Sequence, residues 1–339
     1  MDLQNRTNCC NSDCCEEEDT VGYYLLPTLY SVFFVVGLPA NCMSLYVASL
    51  QAKRGNNMAV YLVNLSVSDL LYIVSLPVWI QLALQCRSVG DTLCSIVAFV
   101  MNNSFYVGTG FLCCISVDRY LAVVFPLYFP RARTMRTAIV VSAVVWCTEL
   151  PLHVLLLSHT GALGAFSSSR TCVEKTPMRL EDSHMALVRV ALGYLFPLLL
   201  MTFCFLQIFR AVQVSVFTVE TDRRKIQSLL LLLLLTYVVA FTPYQTVMFL
   251  RGLWEPGECS FALRMKDAYM VCVAVTTLNS VVDPIIYCLL SESARIEMNL
   301  LLQQCRRRFE TILSLRKNWK DCFLCHIGEG LPKLTKASR

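Results

Sequence analysis

Seven apolar stretches, each long enough to cross a membrane, dominate this chain of 339 residues. A hydrocarbon core takes about 20 apolar residues per helix, and such windows fall near 22–48, 57–83, 93–124, 137–158, 185–213, 226–252 and 266–290. In lipid every backbone N–H and C=O must be satisfied within its own segment, so helices are the expectation for all seven. Composition agrees, because 56% hydrophobic and 16% charged residues with a mean hydropathy of +0.55 lie far from a soluble domain's balance. The implied fold class is an all-α membrane protein, a seven-transmembrane helix bundle, divided into an N-terminal segment 1–21, a helical domain 22–290 and a tail 291–339. Within that tail, Ile296, Leu300 and Leu301 recur at helical spacing ahead of Arg306, Arg307 and Arg308. This pattern predicts a short amphipathic eighth helix on the membrane surface.

Orientation follows from where the basic residues collect, since short cytoplasmic loops hold Lys and Arg. Lys53 and Arg54 follow helix 1, Arg131, Arg133 and Arg136 follow helix 3, and Arg223, Arg224 and Lys225 precede helix 6. Arg306 to Arg308 follow helix 7. The opposite side carries the acidic run Glu16 to Asp19 and the sequon Asn5-Arg6-Thr7, a glycan acceptor at Asn5 if that side is outside. The expectation is a multi-pass plasma-membrane protein with an extracellular N-terminus and helix 1 as its own targeting signal. The net charge of +5 is explained by the cytoplasmic face meeting anionic lipid and an acidic partner, without nucleic acid.

The 18 cysteines sort by compartment. Cys94, at the outer start of helix 3, and Cys172, in the loop after helix 4, both face the oxidising side; a bridge between them would pin that loop over the bundle mouth. A second bridge is expected from Cys259 to one of Cys9, Cys10, Cys14 and Cys15, the partner left open. Cys42, Cys113, Cys114, Cys147, Cys204 and Cys288 lie in apolar context and read as packing residues. Cys322, Cys325 and His326 match the haem-attachment pattern, but they follow Lys317 and Lys320 on the reducing side, which excludes that chemistry. Cys305, Cys322 or Cys325 could carry palmitate instead.

Ionisable groups at membrane depth are expensive unless paired or hydrated, so function concentrates on them. They are Asp69 in helix 2, Glu149 in helix 4, Arg119 at the inner end of helix 3, Arg189 in helix 5 and Asp283 in helix 7, with Asn41 and Asn279 adding neutral polarity. Asp118 can hold Arg119 at the cytoplasmic mouth, and losing that pair frees a guanidinium for another partner. The plain alternative is a positive-inside arginine at a helix end. Pro77, Pro151, Pro197, Pro243 and Pro284 fall inside spans, where each frees a carbonyl and permits a kink. Pro243 and Pro284 are placed to open the cytoplasmic side.

Asn41, Leu65 with Asp69, Asp118-Arg119-Tyr120, Trp146, Pro197, Phe241-Thr242-Pro243, and Asn279 with Asp283-Pro284-Ile285-Ile286-Tyr287 together resemble class A, rhodopsin-type G-protein-coupled receptors over nearly the whole chain. Phe241 departs from the tryptophan usual two residues before the helix 6 proline. The resemblance implies ligand entry from outside, outward movement of helix 6 and exposure of Arg119 to a heterotrimeric G protein. It makes Asp118, Arg119, Tyr120, Phe241, Pro243, Asp283, Pro284 and Tyr287 the switch and coupling residues.

Within that class, Ser68 to Tyr72 with Leu76-Pro77-Val78-Trp79, Trp146 with Glu149, Arg189 ahead of Pro197, Phe241 to Tyr244, Arg251 and Cys172 to Lys175 resemble the proton-sensing and lysolipid-linked subgroup, including the psychosine-receptor type. Its chemistry rests on the carboxylates Asp69, Glu149 and Asp283 in low dielectric, where burial disfavours the charged form; Asp69 and Asp283 would titrate as a coupled pair. The competing reading of Asp69, Asn279 and Asp283 is a sodium-and-water site, with a bound sodium ion and no other cofactor or metal. Only four histidines exist. His153, His159 and His184 lie near the outer face, while Gln245 and Met270 stand where the subgroup often has histidine, so a histidine relay has little support.

An anionic lipid is the alternative agonist, its head group read by Arg189 or Arg251 and its apolar part lined by Phe105, Tyr106, Tyr244, Gln245 and Phe249. A transporter would show internal repeats and paired broken helices. The chain shows neither, and it carries no enzyme motif such as H-E-x-x-H or G-x-S-x-G.

Overall fold

A computed structural model describes residues 21–85, 91–126, 133–159, 177–214, 220–290, 294–301, 303–304 and 306–311. Asn5, Cys9, Cys10, Cys14, Cys15, Arg131, Cys172, Cys305, Cys322, Cys325 and His326 lie outside them, as do the side chains of His153 and His159.

Among the described residues of the larger unit every element is helical. After a π turn at Val21–Leu25 come α1 (Leu26–Lys53), α2 (Asn57–Gln85), α3 (Asp91–Val124) and α4 (Met135–His159). The fifth helix, α5, is continuous through Leu180–Arg189, a π segment Val190–Leu195 and Phe196–Val214. α6 (Glu220–Trp254) and α7 (Cys259–Leu290) complete the bundle. Six of these, all but α4, are long and apolar enough to cross a membrane. α4, at 25 residues, is about 37 Å long at 1.5 Å per residue, which also exceeds the hydrocarbon thickness. Helices 5, 6 and 7 begin five to seven residues before their apolar windows. Hydropathy registers only the lipid-embedded part of a rod whose ends continue into polar surroundings.

Prolines 39, 77, 151, 243 and 284 sit inside helices, which membrane helices tolerate because neighbours satisfy the released carbonyls. Polar side chains tie the rods together where no hydrophobic drive exists between helices. Asn41 Nδ2 donates to the Ser280 carbonyl at 2.7 Å, Ser66 to Ser44 at 2.9 Å, and Tyr72 pairs with Thr277 at 2.8 Å. Trp146 Nε1 donates to Asn64 Oδ1 at 2.9 Å, joining α4 to α2. The corner between α1 and α2 turns at Gly55, whose φ of 89° suits a residue without Cβ.

Residues 294–301 of the smaller unit are helical, and an exposed Arg306–Glu310 ion pair of 3.1 Å follows on the same tail.

Candidate functional site

Three clusters of polar and aromatic side chains occupy the bundle. The first is at the Arg119 end. Asp118 is buried and is gripped three ways: Arg119 Nη2 donates to its Oδ2 at 2.6 Å, Asn57 Nδ2 to its Oδ1 at 2.7 Å, and Arg133 Nε to the same oxygen at 3.3 Å. Arg119 keeps its Nε buried without a hydrogen-bond partner, a donor that another acceptor can satisfy. Tyr120 packs edge-on against Phe125 and Phe203, at ring-centroid distances of 5.6 and 5.7 Å. Tyr287, on α7, is buried and donates its hydroxyl to Gln51 Oε1 at 2.7 Å.

The second cluster is central. Asp69, Tyr72, Ser104, Phe105, Phe241, Asn279 and Ser280 line a small cavity of about 20 Å³, together with Met101, Gly108 and Thr276. That is room for about one water or one small cation. Asp69 and Asp283 are both almost wholly buried. Asn279 Nδ2 donates to Asp283 Oδ2 at 2.7 Å, and the Ser280 hydroxyl lies within reach of Asp69. Asp69 Oδ2, Asp283 Oδ1 and Asn279 Oδ1 have no hydrogen-bond partner. Glu149, half-buried on α4, does not line this cavity.

The third cluster rises from Phe241 toward the opposite end. Phe241 meets Phe105 edge-on at 4.4 Å and Tyr237 at 4.8 Å. Phe105 also contacts Tyr106 at 4.7 Å and Tyr244 at 6.2 Å. Tyr244 leads on to Tyr269 at 6.0 Å, and the Arg251 guanidinium lies 4.3 Å from the Tyr269 ring centre. Below, Tyr237 stacks on Tyr194 at 5.7 Å. Arg251 is engaged by Glu255, which also accepts the Met178 backbone N–H at 3.0 Å. Gln245 is buried with its Nε2 unpartnered, as is Nε of the half-buried Arg189. Pro243 and Pro284 sit inside α6 and α7, each within two or three residues of a clustered side chain.

At the far end Cys94 and Cys259 are both disulfide-bonded, to partners outside the described residues. Cys42, Cys113, Cys114, Cys147, Cys204, Cys272 and Cys288 are free thiols. Three residues that organise these clusters had no signal in the sequence, Gln51, Asn57 and Glu255, and Arg133 was read there only as a cytoplasmic charge. Each acts on a partner brought up by the fold or, for Glu255, reads as an ordinary charge beyond an apolar run.

Seven apolar rods joined by interhelical polar ties, with an Asp-Arg pair at one end and disulfide-bonded cysteines at the other, define a seven-helix membrane receptor. Residues 40–287 match the model of the 7 transmembrane receptor (rhodopsin family), and the chain belongs to that family. It is similar to G-protein coupled receptor 68 of Homo sapiens, 38% identical over 293 residues that cover 86% of this chain and 80% of that protein. G-protein coupled receptor 65 of Homo sapiens is 35% identical over 319 residues, 91% of this chain and 95% of its own. Lysophosphatidic acid receptor 4 of Homo sapiens is 31% identical over 297 residues, covering 84% and 80%. The resemblance to the proton-sensing and lysolipid-linked subgroup agrees with this set, and the chain is a multi-pass protein of the plasma membrane and a signalling receptor.

Proposed function

We propose that this receptor carries an extracellular proton or lysolipid-type signal to a heterotrimeric G protein, with protonation of the central carboxylates as the favoured event. The observation that supports it most is that Asp69 and Asp283 are both out of solvent, each with one carboxylate oxygen that has no hydrogen-bond partner. An ionised carboxylate in a desolvated site is costly, and a proton bound by either aspartate removes that cost. The small volume beside Asp69 accepts a water or an ion and is far below the several hundred Å³ an organic ligand fills. Phe241 lines the same cavity, so a change in charge there acts on the helix whose movement the family uses.

The N-terminus is read as extracellular. Disulfides at Cys94 and Cys259 suit an oxidising side, and the basic residues gather at the Arg119 end. That end then faces the G protein, with Asp118 restraining Arg119 at rest. A sodium ion fits the central cavity as well: Asp69, Ser104, Asn279 and Ser280 offer oxygen ligands of the kind hard cations take. It would supply positive charge that stabilises an ionised Asp69.

A second reading is an anionic lipid agonist. Its support is the unpartnered Arg189 Nε and Gln245 Nε2, and a relative whose name is lysophosphatidic acid receptor. The test is G-protein signalling titrated from about pH 8 to about pH 6 for the native receptor, Glu149→Gln and Asp283→Asn, with lysolipids added at fixed pH. A rise toward acid that the variants blunt supports the proton reading. A flat titration with lipid-dependent signalling reverses it.

A further inference from the structure

We propose that Gln51 is a positioning residue that holds Tyr287 in the resting arrangement, and that the α1–α2 corner joins this hold to the Asp118–Arg119 pair. The proposal rests on reading the Arg119 end as the G-protein face.

Tyr287 and Gln51 are 236 residues apart, yet the Tyr287 hydroxyl and Gln51 Oε1 are 2.7 Å apart with both side chains buried. A second donor, Asn56 Nδ2, reaches the same oxygen at 3.3 Å, and the Asn56 N–H donates to the Gln51 carbonyl at 3.1 Å. Asn56 therefore fixes Gln51 from both its backbone and its side chain. The next residue, Asn57, is the one that donates to Asp118 at 2.7 Å. One short corner thus holds the tyrosine of α7 through Gln51 and the aspartate of α3 through Asn57. Because Asn56 and Asn57 share a peptide bond, neither contact can shift far without moving the other.

Gln51 Nε2 is buried with no hydrogen-bond partner. An orphaned donor raises the free energy of the arrangement that contains it. The resting state is therefore held by the acceptor side of Gln51 and opposed by its donor side. A contact balanced in this way yields when α7 moves and water or another acceptor reaches Nε2. Its strength sets how often the receptor opens without agonist.

Agonist-independent G-protein activation, normalised to surface receptor, tests this in intact cells for the native protein, Gln51→Met, Gln51→Asn and Gln51→Glu. Gln51→Met keeps length and loses the acceptor, while Gln51→Asn keeps polarity and falls short of Tyr287. Each is expected to raise the basal signal roughly two- to tenfold, the range one hydrogen bond commands in an equilibrium. Gln51→Glu retains an acceptor oxygen for Tyr287 and Asn56 and loses the orphaned donor, so its basal signal is expected at or below native. A basal signal unchanged in Gln51→Met overturns the proposal, and so does an equal rise in Gln51→Glu, which would mark a general packing effect. If Gln51→Met does not reach the surface, Gln51→Asn decides by the same criterion. A native receptor that activates no G protein, with Arg119→Ala indistinguishable from it, would instead overturn the reading beneath.

Discussion

Arg251 and Glu255 face each other across one helical turn at the Cys259 end of the bundle, and their side chains are only 4% and 0% exposed. The pair closes the Cys259 end of α6: Glu255 reaches across to the Met178 N–H, and Ser183 Oγ donates to the Gly252 carbonyl at 2.6 Å. The sequence presented Arg251 as a hand for a phosphate or carboxylate. In the fold it already holds a carboxylate, so a ligand must compete with Glu255 to use it. Removing one member of a buried pair strands the other and costs about 3–5 kcal/mol, whereas replacing both by apolar residues is often nearly neutral. Glu255→Ala is therefore expected to lower the thermal midpoint of the solubilised receptor by several degrees. Arg251→Met with Glu255→Leu should recover most of that loss. An unchanged midpoint in Glu255→Ala would show that the pair carries no structural weight.

Gly193 lies in the π segment of α5, directly against the ring of Tyr106 on α3. A Cβ built there falls into clash with Tyr106 Cε1 and within 3.1 Å of its Cδ1. The half-buried ring also meets Phe105 edge-on at 4.7 Å. Overfilling a packed site costs about 1–3 kcal/mol. Gly193→Ala should reduce surface receptor and thermal stability together, and Tyr106→Leu in the same chain should restore part of both. Ligand binding to Gly193→Ala at native stability would mean that α5 can shift away from Tyr106 at no cost.

How far these arrangements could be read from the chain depended on distance along it. Asp118 and Arg119 are neighbours, and seven apolar windows give the bundle, so both were legible. The expected approach of Asp69 to Asp283 followed from the family pattern rather than from spacing. Gln51 and Asn57 were invisible because polar residues at a helix end ordinarily face water, and only the packing of α1, α2, α3 and α7 gives them partners. Glu255 follows the last apolar residue of helix 6 and looks like a loop charge, yet the turn that starts α7 buries it completely. Val190–Leu195 carries no mark of a π segment in its sequence.

Asp118 joins Arg119, Asn57 and Arg133, and the three contacts differ in worth. Arg133 is 27% exposed and 3.3 Å away, so solvent and salt reduce its contribution to about 1 kcal/mol or less. Asn57 and Arg119 are closer, and Arg119 is better shielded at 17% exposed. Asp118→Asn should raise agonist-independent signalling more than Arg133→Ala does, with Asn57→Ala in between. Arg119→Ala should abolish coupling while leaving surface expression largely intact. Measured G-protein activation per surface receptor orders the series, and retained coupling in Arg119→Ala would remove that residue from the interface.

Asp283 offers the sharpest test of proton sensing, because Asn279 already satisfies one of its oxygens and the other has no hydrogen-bond partner. The proton reading fixes the sign. Bound protons increase as pH falls, so if neutralising this site releases the resting state, signalling must rise toward acid. An amide fixes the neutral form at every pH. Asp283→Asn should then signal at about pH 8 much as the native receptor does at about pH 6, with a flattened titration between them. The gain at the alkaline end is expected to be roughly five- to hundredfold in the active-to-resting ratio, the span of ordinary coupling free energies. Asp69→Asn should move the curve in the same direction, though it also removes an oxygen from the central cavity and with it any cation held there. Adding sodium separates the two effects: a salt-dependent shift in the native receptor that persists in Asp283→Asn and vanishes in Asp69→Asn assigns the cation to Asp69. A full native titration in Asp283→Asn would place the proton sensor outside this pair.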